Sequence, residues 1–315
     1  MTNDHNKILM LGLPEAGKTS FLAALVQYTA AEIDDKTLTQ YKLSSNTAYI
    51  NLIHETWLKG LRQERTKIIA TQNSSTVAEL YLQEEATGER FILNIPDFFG
   101  ETFESQFNDR LIGVNYLEQI KESSGILLFI NPQKIRQPVL IDDISSALFV
   151  AASMDSAVSE SGDSDTKDQG QIAMDNAVVA IRPFDIEEVP TQIILVDLLE
   201  THLSFLQKMP LHVGIVISAW DTVIEQDSNL SPLKWLEISL PLLYQYLISN
   251  FDVINFKSFG ISAQGGDMGK PEVARKLLSY ENPVQRIIVH EDDKTHKNIA
   301  SPVEWILSQW QKRQK

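Results

Sequence analysis

The stretch ILML at 8–11, GLPEAGKT at 12–19 and KTSFLAALVQYTAA at 18–31 decides the fold. Ile8 to Leu11 is a short apolar run that predicts a buried strand. A glycine-containing turn follows at once. Phe21, Leu22, Leu25 and Val26 then recur on one side of a helix, so strand, turn and helix open a βα unit. Gly12 to Thr19 satisfies the pattern GxxxxGK[ST] in the setting that this pattern requires. Gly12 and Gly17 allow backbone conformations that aim N–H groups at phosphate oxygens, and the helix N-terminus near Lys18 adds positive potential. The cradle is therefore expected from Glu15, Ala16, Gly17, Lys18, Thr19 and Ser20. In it Lys18 would contact the β- and γ-phosphates, and Thr19 Oγ would ligate Mg²⁺. The plainer alternative is an ordinary glycine-rich β–α turn.

Working outward, Val77–Leu82 and Arg90–Ile95 read as two strands around Ala86-Thr87-Gly88, a hairpin signal. At the end of the second strand stands Asp97-Phe98-Phe99-Gly100. An acid there is placed to hold Mg²⁺ through water, and Gly100 leaves its N–H open to a γ-phosphate oxygen. A helical stretch covers about 103–122, and Gly125–Ile130 is an apolar run suited to a buried parallel strand. Thr191–Lys208 reads as a helix and Val213–Ile217 as a strand ending in Ser218-Ala219-Trp220-Asp221. A carboxylate at Asp221 can accept from guanine N1–H and the 2-amino group, a donor pair that adenine lacks. Ser231-Pro232 starts a helix to about Ser249. Val253–Ile261 is expected to be the last strand, and Ser262-Ala263-Gln264 follows, where a backbone N–H is available for guanine O6. Ser301-Pro302 starts the final helix, running towards Arg313.

Two segments interrupt this order. Residues 32–73 fit no ordinary connection, and Ile50, Ile53, Trp57 and Leu61 mark an inserted amphipathic helix. Between 136 and 190 there are 3 basic and 11 acidic residues, a net of -8 out of -15 for the 315-residue chain. Its stretch SMDSAVSESGDSDTKDQG at 153–170 has little to bury and reads as a solvated, disordered insertion or an acidic docking loop. The acidic balance argues against general binding of nucleic acid or anionic membrane. Cysteine is absent, which excludes disulfide scaffolds, thiolate metal sites and a thiol nucleophile. The six histidines show no metal-ligand spacing. The opening MTNDHNKILML is not read as a signal peptide, and no run of about 18 apolar residues suits a bilayer. A cytoplasmic location is expected.

Taken together, GLPEAGKT, DFFG, SAWD and SAQ resemble the first, third, fourth and fifth guanine-nucleotide motifs of Ras-like P-loop GTPases. With the inserted helix near Trp57 and the ISAQGG sequence, the chain is further similar to bacterial double-GTPase families of conflict systems. The resemblance implies one α/β G domain over 1–315, with insertions at about 32–73 and 136–190. Its sheet would be mostly parallel and six-stranded, with one antiparallel strand and helices on both faces. It implies GTP or GDP with Mg²⁺ as ligands. It also implies an effector or adaptor protein as partner, or a second GTPase-like chain. Lys18, Gly100 and Glu101 would serve the reaction, and Thr19, Asp97 and a switch I hydroxyl would serve the metal. Ser74, Ser75 and Thr76 are the candidates for that hydroxyl, with Thr66 as the alternative.

Departures from the pattern bear on activity. Ala219 stands where the family has a Lys, and Gln264 replaces the common Lys of SAK. Trp220 is offered instead as a ring to cover part of the purine, beside Asp221, Ser262, Ala263 and Gln264. Glu101 occupies the place of the water-positioning Gln, and a second negative charge near the γ-phosphate implies slow hydrolysis. Arg62, Arg65 and Arg110 are the arginines that could compensate in cis. Three functions compete: a GTPase switch, a nucleotide-locked scaffold with negligible hydrolysis, and a P-loop ATPase or kinase, which leaves Asp221 and Ser262 without a role.

Overall fold

The computed structural model describes residues 6–62, 77–96, 106–138 and 185–314, apart from positions 35, 45 and 208. The chain divides into two compact units, Met1–Ile135 with Thr191–Lys315, and Arg136–Pro190. In the second unit the described residues are 136–138 and 185–190, with one 3-10 turn at Ile186–Glu188. The rest of the acidic segment lies outside the described residues.

The first unit is built on a sheet that has nine strands among the described residues. They are β1 (Asn6–Leu11), β2 (Leu38–Lys42), β3 (Val77–Glu84), β4 (Arg90–Pro96), β5 (Ser123–Ile130), β6 (Leu211–Ser218), β7 (Ile254–Ser262), β8 (Ile288–Glu291) and β9 (Lys294–His296). Their spatial order is β2-β3-β4-β1-β5-β6-β7-β8-β9. The middle five, β4-β1-β5-β6-β7, are joined by parallel ladders. The flanks are antiparallel on both sides, β2-β3-β4 at one end and β7-β8-β9 at the other. The expected six strands with one antiparallel member are thus corrected to nine, with antiparallel pairing at both flanks. The additions β2, β8 and β9 are three to five residues long, with sequences LTQYK, IVHE and KTH. Such strands carry little apolar signal because they are held by backbone pairing to an existing edge.

Both faces of the parallel strands are buried, as continuous apolar runs require. Ile8 and Met10 face one core, while Leu9 and Leu11 face the other. On the first face lie α1 (Lys18–Ala30), α2 (Thr47–Leu58) and the C-terminal helix Ser301–Gln314, through Phe21, Leu25, Ile50, Ile53, Val303 and Ile306. The C-terminal helix approaches closely where β5 and β6 carry glycine: a Cβ on Gly125 would lie 2.6 Å from Ile306. The second face is covered by α3 (Val114–Glu122), α4 (Thr191–Phe205), α5 (Trp220–Ile224), α6 (Pro232–Ser239) and α7 (Pro241–Ser249). Each fully buried Leu, Ile or Phe contributes about 1.5–3 kcal/mol through removal from water.

Several helix boundaries differ from the sequence reading for local reasons. The inserted helix α2 begins earlier, capped by the Asn46 side chain accepting from Tyr49 N–H at 3.3 Å. It stops before Leu61 because Gly60 takes φ 66°. The helix expected from Ser231 to Ser249 is two helices. Pro241 excludes the preceding residue from helical geometry, and Leu240 sits at φ -135°, ψ 60°. The stretch expected to be helical over 103–122 contains a helical turn at 106–109 and then α3, separated by Arg110 at φ 56° and an extended Gly113. Positions 103–105 lie outside the described residues. The remaining helix, α8 (Pro271–Leu278), follows the Gly265-Gly266 turn.

Candidate nucleotide site

The C-terminal ends of β1, β5, β6 and β7 follow one another along the sheet edge, which is where open α/β sheets place their ligands. At the end of β1 the chain turns through Gly12 (φ 149°), Glu15 (φ 58°) and Gly17 (φ 95°) before α1 starts. Gly12 is needed for close approach, since a Cβ there would stand 2.7 Å from the Phe129 carbonyl oxygen. A Cβ on Gly17 would stand 2.6 Å from Ser218 Cβ, so the loop rests directly on the end of β6. The first ladder bond of α1 is Phe21 N–H to Gly17 O at 3.0 Å. The N–H groups of Lys18, Thr19 and Ser20 therefore precede the helical ladder and have no intrahelical acceptor.

Lys18 turns its ammonium inward, donating to Gly12 O at 2.5 Å and Leu13 O at 3.0 Å. Burial lowers its pKa to about 8. Among the described residues its acceptors are two carbonyls, so the ammonium keeps its charge available to an anionic ligand. Glu15 directs its carboxylate away from the loop, to Lys134 Nζ at 2.6 Å and Arg62 at 3.4 Å. Asn131 Nδ2 donates to the Glu15 carbonyl at 2.9 Å. Asn131 and Lys134, just beyond β5, thus brace the loop from behind. No motif marks them in the sequence, because only the β1–β5 pairing brings them to Glu15.

Asp221 opens α5 and accepts from Ser262 Oγ at 2.5 Å. The fourth and fifth sequence elements are thereby joined across the ends of β6 and β7. The Ser262 hydroxyl also accepts from Gly265 N–H at 3.0 Å. Burial raises the pKa of Asp221, and the Ser262 hydrogen bond opposes that shift. A half-buried carboxylate with one hydroxyl partner retains acceptor capacity for a further donor pair. Ala219 precedes it at φ 46° and presents only a methyl group.

Trp220 requires a correction. Its ring is 0% exposed and stacks on the backbone of β7, where a Cβ on Gly260 would fall 2.2 Å from the indole. No face of it is open to a base, because the side chain belongs to the second core. Gln264 also turns inward, donating from Nε2 to Trp57 O at 3.1 Å. What residues 262–264 present outward is therefore backbone. Arg110 is ion-paired with Asp197, whereas Arg62, with 84% of its side chain exposed, reaches the loop at Glu15. Arg65, Thr66, Ser74, Ser75, Thr76, Asp97, Gly100 and Glu101 lie outside the described residues. Among the described residues no three His, Asp or Glu side chains are grouped to hold a metal. An implied Mg²⁺ would rest on Thr19 and Asp97, with phosphate and water completing a shell that this ion commonly shares in that way.

No curated protein matches the chain. Among solved structures, the crystal structure of bacterial selenocysteine-specific elongation factor EF-Sec is similar at 12% identity and a TM-score of 0.33. The match covers 87% of this chain and 28% of that one, so this chain spans less than a third of that protein's length. Residues 9–306 match the family described as Double-GTPase 1. With that match over nearly the whole chain, the protein belongs to the Double-GTPase 1 family.

Proposed function

We propose that this protein is a guanine-nucleotide switch that binds GTP and GDP, hydrolyses GTP slowly with Mg²⁺, and signals to a partner protein. Family membership supports GTP binding. The observation that supports the base assignment is the Asp221–Ser262 hydrogen bond, which joins the ends of β6 and β7, where Gly17 rests on Ser218. Lys18 and the N–H groups at the start of α1 would hold the phosphates, and Thr19 and Asp97 would hold Mg²⁺, which neutralises phosphate charge when bound. Asp221 would accept from the guanine N1–H and 2-amino group. Hydrolysis would be attack of water on the γ-phosphorus, breaking its bond to the β-phosphate oxygen. Glu101 would orient that water and Gly100 N–H would hold a γ-oxygen. The hydroxyl of Ser75 or Thr76 would complete the metal shell. The reading treats the first unit as a single G domain interrupted by the acidic segment.

Calorimetry with Mg²⁺ and GTP, GDP or ATP tests this reading. Clear preference for guanine is expected, and Asp221→Asn should lower GTP affinity by about 10²-fold or more, since buried polar groups lose their partners. Equal or tighter ATP binding overturns the assignment in favour of a P-loop ATPase. A second reading, a nucleotide-locked scaffold, is favoured by Ala219, which has no chain to reach the loop. Single-turnover measurement with protein in excess separates the two: phosphate release rejects the scaffold.

A further inference from the structure

The inserted helix α2 ends on the loop that follows β7, with Trp57 and Arg286 buried in the contact. Trp57 is 0% exposed and donates from Nε1 to Ala263 O at 3.1 Å. Gln264 returns a bond, from Nε2 to Trp57 O at 3.1 Å. Arg286, 2% exposed, lays its guanidinium over the Trp57 ring at 4.1 Å. It also donates to Trp57 O and Leu58 O, both at 3.3 Å. A cation at the C-terminus of α2 meets the negative end of the helix dipole, and the ring face adds to the attraction. On the other side, Gly265 (φ 81°) lies so close that a Cβ would stand 2.0 Å from Arg286 O. Residues 263–265 are thus clamped between a tryptophan and the 3-10 turn Pro283–Arg286.

The clamp continues into the candidate base site. Gly265 N–H donates to Ser262 Oγ, and Ser262 Oγ donates to Asp221. We propose that Trp57 and Arg286 are positioning residues for base recognition: they fix loop 263–265, and through Ser262 they set the direction in which Asp221 offers its carboxylate. The inference rests on the guanine reading of the site and adds to it a specificity role for the inserted helix. Neither residue touches nucleotide. They act on which base is accepted, because pairing with N1–H and the 2-amino group depends on carboxylate direction, whereas phosphate binding at Lys18 does not pass through them.

The test uses the full chain and compares Kd values for GDP, IDP, which lacks the 2-amino group, and ADP. Three proteins are measured: the unaltered protein, Trp57→Phe and Arg286→Lys. The phenylalanine keeps a ring under the guanidinium but removes the Nε1–H bond to Ala263. The lysine keeps the charge but loses the two-pronged contact with the α2 carbonyls. The expected result is that the GDP-over-IDP and GDP-over-ADP preferences fall about tenfold in each variant, the loss of one well-made hydrogen bond. ADP affinity should stay within about twofold. Equal loss for all three nucleotides, or a lower unfolding midpoint with unchanged preference, overturns the inference and leaves the pair merely structural. Indifference of the unaltered protein to the base overturns the guanine reading and this inference together. A selective unaltered protein whose variants keep their preference overturns this inference alone. If Trp57→Phe does not fold, Arg286→Lys gives the same readout.

Discussion

At the scale of single residues, Lys18 shows how a short pattern becomes chemistry. The Gly12 and Gly17 conformations turn the loop so that two carbonyls capture the ammonium, and burial lowers its pKa to about 8. Polyphosphate beside it would raise that pKa, so nucleotide binding and proton uptake are linked. At pH 8 binding should take up about half a proton, falling towards zero near pH 6.5, and affinity should decline as pH rises above 8. Calorimetry with GDP in two buffers of different ionisation enthalpy measures this. Lys18→Arg, which stays charged, should show no such uptake, and its absence in the unaltered protein would remove the linkage. The turn that holds Gly17 and Lys18 was legible from spacing because it depends on neighbours in sequence, whereas the bond from Ser262 to Asp221 spans 41 positions. Trp220 was misread for the opposite reason: a tryptophan beside a binding carboxylate suits stacking and core equally well, and only Gly260 on the neighbouring strand decides between them.

At the scale of elements, α3 and α4 are joined by a buried polar pair. His202 donates from Nδ1 to Leu198 O at 2.8 Å, so its Nε2 accepts from Tyr116 OH at 3.2 Å. Burial lowers the pKa of His202 to about 4. The unfolded chain binds a proton at this side chain below its ordinary value of 6.5, while the folded chain stays neutral down to about 4. The contribution of His202 to stability is therefore complete above pH 6.5 and is lost as pH falls from there to 4. Between pH 6.5 and 5 the loss should be about 2 kcal/mol. Urea unfolding at both pH values should show this extra slope in the unaltered protein and not in His202→Gln; equal slopes would deny the pair its role. Element existence was readable from the sequence wherever a run was apolar or periodic. Ends and breaks turned on single residues such as Pro241 and Gly60, whose effects are local but easily overlooked inside a favourable pattern.

At the scale of the molecule, the net charge is unevenly distributed along the chain. The first unit holds two cores on either face of one sheet, while the 136–190 segment carries more than half of the net negative charge. Because the two units are compact separately, replacing 139–184 with a short Gly-Ser linker should leave the unfolding midpoint of the first unit within about 4 °C, a change of roughly 1 kcal/mol. A larger fall would show that the segment supports the fold. Among the described residues no helix is long and apolar enough to cross a membrane. Legible in the sequence alone were the βα opening with its glycine turn and the six central strands. Those features are written in spacing and periodicity, which act between residues a few positions apart. The three flanking strands, the burial of Trp220, the bracing of Glu15 by Lys134 and the clamp of Trp57 and Arg286 on the loop after β7 were decided only in the tertiary structure. Arg286 and Trp57 are 229 positions apart, and their contact exists because α2 and the turn Pro283–Arg286 pack into the same core on one face of the sheet.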